Sequence, residues 1–263
     1  MYEDDIFYIR FTLLKNIAEV TDIYILYLVI FIFSVVQSIF GVGVLLFGTP
    51  TLVIMGYSYV ETLWIVLPTS IVISLSQVII DWNLIQSRKH VYKYTLPALA
   101  IGLLIIIINK DLFDISKIIG VGLLIVVLMR YSRGLATYLH NFINKSPSSY
   151  YLGTGLIHGL SNMGGGPLLI LMSTLYRSKN TIRANIAYVY VLFGLTQLIV
   201  LSITKVHSPK LSYLVLPMVA LASYFFVGKP LTKFINEHKY QSFITFIILI
   251  YGLLSLFDVG KYL

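Results

Sequence analysis

Apolar residues fall in eight long stretches, roughly 23–56, 58–80, 94–109, 115–130, 149–176, 184–204, 211–228 and 241–258, joined by short polar and basic connections. A helix that crosses a bilayer needs about 20 apolar residues. Six stretches read as ordinary spans. The first (about 34 residues) and the fifth (about 28 residues) are too long for one simple crossing. Both are interrupted from within. The first contains Gly41, Gly43, Gly48 and Pro50; the fifth contains Gly153, Gly155, Gly159, Gly164, Gly165, Gly166 and Pro167. Inside a helix glycine costs about 1 kcal/mol against alanine and proline about 3 kcal/mol. Backbone freed in this way within a membrane must be buried in protein or line a wet cavity. Each long stretch is therefore predicted to be a helix–break–helix element, either a re-entrant hairpin or a discontinuous span.

The pattern also repeats, with matching pieces about 120 residues apart. "SLSQVII" (Ser74–Ile80) pairs with "GLTQLIV" (Gly194–Val200), and "TLPALA" (Thr95–Ala100) with "VLPMVA" (Val215–Ala220). The expected fold is an all-α polytopic membrane protein with two homologous four-segment repeats, about 23–130 and about 149–258, in one integral membrane domain spanning residues 1–263. Duplicated halves with one broken helix each are the pattern of secondary transporters, which hold substrate where the breaks meet.

Composition agrees with the bilayer. Apolar residues make up 58% of the chain and charged residues 11%, against about 25% charged in a soluble domain. Mean hydropathy is +0.87. The net charge of +8 comes from Lys and Arg in short loops, where they set topology and touch anionic lipid, so nucleic acid is not an expected partner. With no cysteine, disulfides, thiolate metal sites and cysteine nucleophiles are excluded. The first 22 residues carry Glu3, Asp4, Asp5, Glu19 and Asp22, unlike the basic start of a signal peptide; they read as a partly amphipathic lead-in.

The basic residues vote on orientation. Connections after the second and fourth stretches hold Arg88, Lys89, Lys93 and Arg130, Arg133, Lys145, which places them in the cytoplasm. If every stretch crossed once, Arg177, Lys179, Arg183 and Lys229, Lys233, Lys239 would lie outside, with only Lys205 and Lys210 in the inner connection between them. Re-entrant first and fifth stretches leave three spans per half, invert the second repeat and satisfy the rule in both. The competing arrangement is eight spans in two parallel halves.

The breaks are the strongest site candidates. The second half of a broken helix presents unsatisfied N–H groups and the positive end of its dipole, which suits an anion. The residues there are Gln37, Ser38, Gly41, Gly43, Gly48, Thr49 and Pro50 in the first break, and His158, Ser161, Asn162, Gly164, Gly165, Gly166 and Pro167 in the second. The competing reading makes the glycines a surface for close helix packing. His158 lies deep in an apolar stretch, opposite Gln37 in the repeat. It is either a binding or proton-carrying group or a histidine bonded to a neighbouring helix. Gln77 and Gln197 are equivalent and either face substrate or bridge helices. Thr69, Ser70 and Asn185 are weaker candidates, and Pro97 and Pro217 shape helix starts. Glu61 belongs near an interface, and no Asp or Glu lies well inside a stretch, which argues against a carboxylate-based cation exchanger. Most of the tyrosines are expected as interface anchors or packing. No metal, cofactor or catalytic group is expected.

Glycine-rich breaks opening two related halves resemble the sulfite exporter TauE/SafE family, also called the 4-toluene sulfonate uptake permease family. The resemblance runs from about Tyr24 to Phe257 and rests on a G-x-G-G-G run leading into an apolar stretch with proline. "NMGGGPLLIL" carries it in the second half, with Asn162 in place of the first glycine. "GVGVLLFGTP" keeps Gly41 and Gly43 and has Val44 and Leu45 where further glycines are usual. The resemblance implies a multi-pass plasma-membrane transporter of small anions, linked to sulfite, sulfonates or thiosulfate.

The expectation is a secondary transporter that moves a small anion by alternating access, coupled to a proton, an ion or the anion's own gradient. Gly164–Gly166 and Asn162 would donate to the anion, with His158 and Gln37 gating or binding. Arg177 and Arg183 are topology charges or attract anions to the mouth. The rivals are a passive anion channel, an intramembrane enzyme built on Ser161 and His158, and a membrane scaffold. The enzyme lacks a third orienting group and a G-x-S-x-G turn.

Overall fold

The computed structural model describes residues 22–86, 88–109, 114–206 and 210–232, with 249, 250 and 253. The lead-in and nearly all of the eighth stretch, 241–258, lie outside the described residues. Among those described, the regular elements are all helical. In chain order they are α1 (Asp22–Phe40), α2 (Val44–Ile54), α3 (Tyr59–Ile80) and α4 (Val91–Ile108); α5 (Ile115–Tyr131), α6 (Arg133–Lys145), α7 (Pro147–Ser161) and α8 (Gly165–Leu175); and α9 (Lys179–Thr204) and α10 (Leu211–Leu231). Five of these, α1, α3, α4, α9 and α10, are long and apolar enough to cross a membrane. Both long stretches are interrupted at their glycines, at 41–43 and at 162–164.

One connection departs from expectation. The segment after α5, read as a loop, is the helix α6. Ser132 caps it, its hydroxyl accepting from the Leu135 N–H at 3.2 Å. Leu139 and Ile143 are buried and Leu135 and Phe142 pack against the core, a spacing that makes one apolar face. Lys145 ends the helix, exposed. Polar residues between these positions hid the helix from a reading based on spans, because an amphipathic helix with one apolar face has low mean hydropathy.

Glycine also serves packing. α4 and α7 approach with backbones in contact: a Cβ on Gly102 would lie 2.9 Å from the Leu156 carbonyl oxygen, and one on Gly159 would fall 2.8 Å from the Leu103 nitrogen and closer still to the Leu99 carbonyl oxygen. Gly155 is similarly blocked by the Thr95 carbonyl. For these glycines the packing reading is the right one; Gly153 has open space where its Cβ would be. Gly159→Leu should separate α4 from α7 and lower stability by about 3 kcal/mol, seen as a fall in melting temperature of the purified protein in detergent.

The two ends of α3 make ion pairs with later helices. At its start Glu61 meets Lys210 Nζ at 2.8 Å and accepts from the Tyr213 hydroxyl at 2.5 Å. The carboxylate and that hydroxyl hold the Lys210 ammonium above the ordinary lysine range. At the other end Asp81 pairs with Arg183 at 3.2 Å, and the backbone nearby is tied to α9: the Gln86 N–H donates to Asn185 Oδ1 at 2.8 Å, and Asn185 Nδ2 donates to the Leu84 carbonyl at 2.9 Å. Twenty residues of helix separate Glu61 from Asp81, about 30 Å, the thickness of a bilayer core. Lys210 and Arg183 are therefore held at opposite ends of one span. Asp81 and Arg183 are mostly buried, at 18% and 20% exposure. Asp81→Ala alone should cost about 3 kcal/mol because it strands the guanidinium. A second change, Arg183→Met, should recover most of that loss in the same melting measurement.

The ends of the broken elements follow the same division. A cavity of about 290 Å³ is lined by Asp22, where α1 starts, by Met55, Gly56 and Tyr57, just after α2 ends, and by Glu61 and Lys210. At the other end of the molecule the Tyr151 ring, near the start of α7, stacks on His90 at 5.2 Å. There α8 runs within a few residues into α9, whose Arg183 meets Asp81.

Candidate functional site

The first break is closed by its own side chains. α1 ends at Gly41, whose φ of +76° is the left-handed conformation that glycine adopts without strain; its N–H donates to the Gln37 carbonyl at 2.8 Å. α2 then starts at Val44 with a wide π-type turn. Gln37 ties the parts together. Its Oε1 accepts from the Val44 N–H at 3.1 Å, capping α2, and its Nε2 donates to Ser70 Oγ at 2.8 Å, the Ser70 carbonyl at 3.1 Å and Ser74 Oγ at 3.0 Å. Gln77 caps the other side, donating to the Ser38 carbonyl at 3.0 Å, one of those left open at the end of α1. Gly43 packs so closely on the α1 backbone that a Cβ would strike Gln37 and the Phe33 carbonyl.

The second break has the same outline and different chemistry. α7 ends at Asn162, left-handed with φ 62°, and the Asn162 N–H donates to the His158 carbonyl at 2.7 Å. Asparagine is the residue other than glycine that best tolerates this conformation. Ser161 serves its own turn: Oγ donates to the Ile157 carbonyl at 2.8 Å and accepts from the Met163 N–H at 3.2 Å. α8 starts at Gly165 and Gly166 with no side-chain cap. The first intrahelical bond runs from the Leu168 N–H to the Gly164 carbonyl at 2.9 Å. Thus Gln37 caps the start of α2 through the Val44 N–H, whereas among the described residues no side chain caps the start of α8.

Around that open turn lies a fully buried polar cluster. His158, Asn162, Tyr190 and Gln197 are all 0% exposed. The His158 ring stacks on Phe193 at 4.2 Å, has Tyr190 at 6.3 Å between ring centres and has the Gln197 amide beside it. A Cβ at Gly164 would strike the His158 side chain, and one at Gly165 would strike the Tyr190 hydroxyl. Both ring nitrogens of His158, Oδ1 of Asn162, the Tyr190 hydroxyl and both amide atoms of Gln197 have no hydrogen-bond partner among the described residues. Buried polar atoms are nearly always paired, so such a concentration at one place is a strong signal. Near the first break Gln77 Oε1 is in the same condition.

The two breaks touch. Asn162 Nδ2 donates to Thr49 Oγ1 at 2.8 Å, and a Cβ at Gly165 would lie 3.7 Å from Val42. Gln37 and His158 thus sit on α1 and α7 in matching positions with unlike surroundings, and Gln77 and Gln197 do the same on α3 and α9. Arg183, read as flanking the second break, reaches the first: its Cγ would lie 3.4 Å from a Cβ on Gly41.

Tyr190 is the member that sequence reasoning missed, absorbed among tyrosines read as anchors. The repeat spacing carried the signal. Tyr190 is offset from Ser70 by the same interval that separates Gln197 from Gln77, and Ser70 is the residue that holds Gln37.

A family model described as sulfite exporter TauE/SafE matches residues 26–255. The chain belongs to this family. It is an integral membrane protein and a transporter by family, and the match takes in both breaks and every residue of the buried cluster. No curated protein and no solved structure matches it.

Proposed function

We propose that this TauE/SafE protein is a secondary carrier that moves a small anion, a sulfur oxyanion or organosulfonate, across the cell membrane by alternating access. The observation that carries the reading is the uncapped start of α8 facing buried polar atoms that lack partners, at the point where the two breaks touch. Backbone N–H groups of Gly165 and Gly166 and the positive end of α8 supply the attraction. Tyr190, Gln197 and His158 complete the site, with Asn162 and Thr49 joining it to the first break. In this reading Gln37, Gly41, Gly43 and Gln77 keep the first break in shape, and Ser161 holds the turn that leads to Gly164. A coupling proton, if one is used, has His158 as its carrier.

An inverted pair of four-segment repeats in one domain, each opening with a re-entrant hairpin, fits the placement of the ends. Both ends of α1–α2 lie by Glu61 and Lys210, and both ends of α7–α8 by His90, Asp81 and Arg183. The hairpins then enter from opposite faces. Arg88, Lys89, Arg177, Lys179 and Arg183 fall on one side, the cytoplasmic side by the positive-inside rule. Lys205 and Lys210 fall on the other. This distribution speaks against eight spans in parallel halves. The chain has no cysteine, so single cysteines at 88 and 210 give a clean topology test. They should label from opposite faces of the membrane, and labelling from the same face rules out the inverted arrangement.

Function is tested in proteoliposomes with labelled sulfite, thiosulfate, sulfoacetate and acetate, with and without a pH gradient. The expected result is saturable uptake of a sulfur anion, accelerated by the same anion on the far side. Flux without saturation or counterflow makes the protein a channel. A Ser161→Ala variant that keeps transport disposes of the enzyme reading, in accord with a hydroxyl already bonded to the Ile157 carbonyl.

A further inference from the structure

We infer that the anion taken at the second break carries a hydrogen of its own, so that the site prefers a monoprotonated oxyanion to a hydrogen-free anion of the same size and charge. This rests on the reading of the α8 start as an anion site, and it follows from the inventory of unpartnered atoms. A hydrogen-free anion such as a sulfonate only accepts hydrogen bonds and is best served by donors alone. The α8 backbone N–H groups and the Tyr190 hydroxyl are donors of that kind. The rest of the cluster is different.

Gln197 presents an amide with one carbonyl and one NH₂, both without partners, and His158 presents two ring nitrogens without partners. A neutral imidazole has one N–H and one bare nitrogen. If Gln197 and His158 bond to each other, either way round, two N–H donors and at least one acceptor are left over. The outcome does not depend on how the amide or the tautomer is assigned. Asn162 adds a second acceptor, since one N–H of its amide is given to Thr49 and its Oδ1 has no partner. The site therefore holds acceptor lone pairs, fully buried, beside the positive end of a helix.

Against a hydrogen-free anion those lone pairs stay unpaired and face the anion's own oxygens. Against an anion bearing one O–H, one lone pair is satisfied while the remaining ligand oxygens still accept from α8 and Tyr190. Sites built to bond a ligand hydroxyl discriminate strongly against analogues that lack it, because their own polar atoms are left unmet. Among the described residues the buried cluster of His158, Asn162, Tyr190 and Gln197 holds no lysine or arginine, so a second negative charge on the ligand meets no cation within it, which points the same way.

The test uses two probes of like shape and charge. Methylphosphonate at mildly acid pH is a monoanion with one O–H; methanesulfonate is a monoanion with none. Binding of each to the purified full-length protein is measured by calorimetry at that pH. Methylphosphonate should bind tighter by about tenfold or more. The variants Asn162→Gly, which keeps a left-handed turn residue, and Gln197→Met, which removes the amide, should narrow the ratio. Equal binding of the two probes, or tighter methanesulfonate, overturns the inference and leaves the anion site standing. Binding of neither probe, together with no response to sulfite or thiosulfate, overturns both the inference and the anion reading beneath it.

Discussion

Replacing Gly165 with leucine leaves the protein inserted in the membrane and reduces transport by about a hundredfold or more, the scale on which small displacements act at a preorganised site. The reason is local. Gly165 opens α8, and a Cβ there would strike the Tyr190 hydroxyl and approach Val42 of the first break. A leucine must therefore displace both the α9 side of the cluster and the contact between breaks. It also covers the N–H groups that the proposed site offers to its anion. The change adds apolar volume in an apolar protein, so insertion and the helices that cross the membrane are spared. Protein amount in the membrane and the melting temperature in detergent separate loss of function from loss of fold. A Gly165→Leu protein that transports at the wild-type rate takes the second break out of the mechanism.

Gln37→Leu has the opposite signature. It should cost about 3 kcal/mol of stability, lowering the melting temperature by about 10 °C. Gln37 is fully buried, and its amide alone holds the Val44 N–H, Ser70 and Ser74 together. Leucine fills the volume and strands a helix-starting N–H and two serine hydroxyls within the protein interior. Ser74→Ala removes a single partner and should cost about 1 kcal/mol. If Gln37→Leu melts like the wild type, the first break is not held as described.

The difference between these two variants expresses what the sequence could and could not reveal. Glycine and proline inside apolar runs mark broken helices because the cost of holding them in regular helix is intrinsic to the backbone, and the chain does break at 41–43 and 162–164. The ends of α3, α4 and α10 were legible to within a few residues for a similar reason, since span length is set by the bilayer, whereas α9 starts at Lys179, five residues before its apolar stretch. Side-chain partners were not legible. Gln37 and His158 hold matching positions, yet Gln37 finds serines on α3 where His158 finds Tyr190 and Phe193 on α9. Which atoms end up paired depends on the neighbouring helix, and apolar patterning carries no information about that. Gly155 and Gly159 share the fifth stretch with the second break, yet they bring α4 and α7 together, a distinction that rests on tertiary contact. α6 was missed because its apolar face is short and its polar face averages it away.

The absence of cysteine in the native sequence makes one experiment especially direct. Thr49 and Asn162 join the two breaks through a 2.8 Å hydrogen bond. In the double variant Thr49→Cys, Asn162→Cys, sulfite flux into proteoliposomes is measured reduced, after oxidative cross-linking and after reduction again. If the breaks hold the anion between them and shift against each other during the cycle, the cross-link forms, flux stops and reduction restores it. A protein that is fully cross-linked and still carries sulfite at its reduced rate contradicts the account, because the anion would then pass without any movement where the breaks meet.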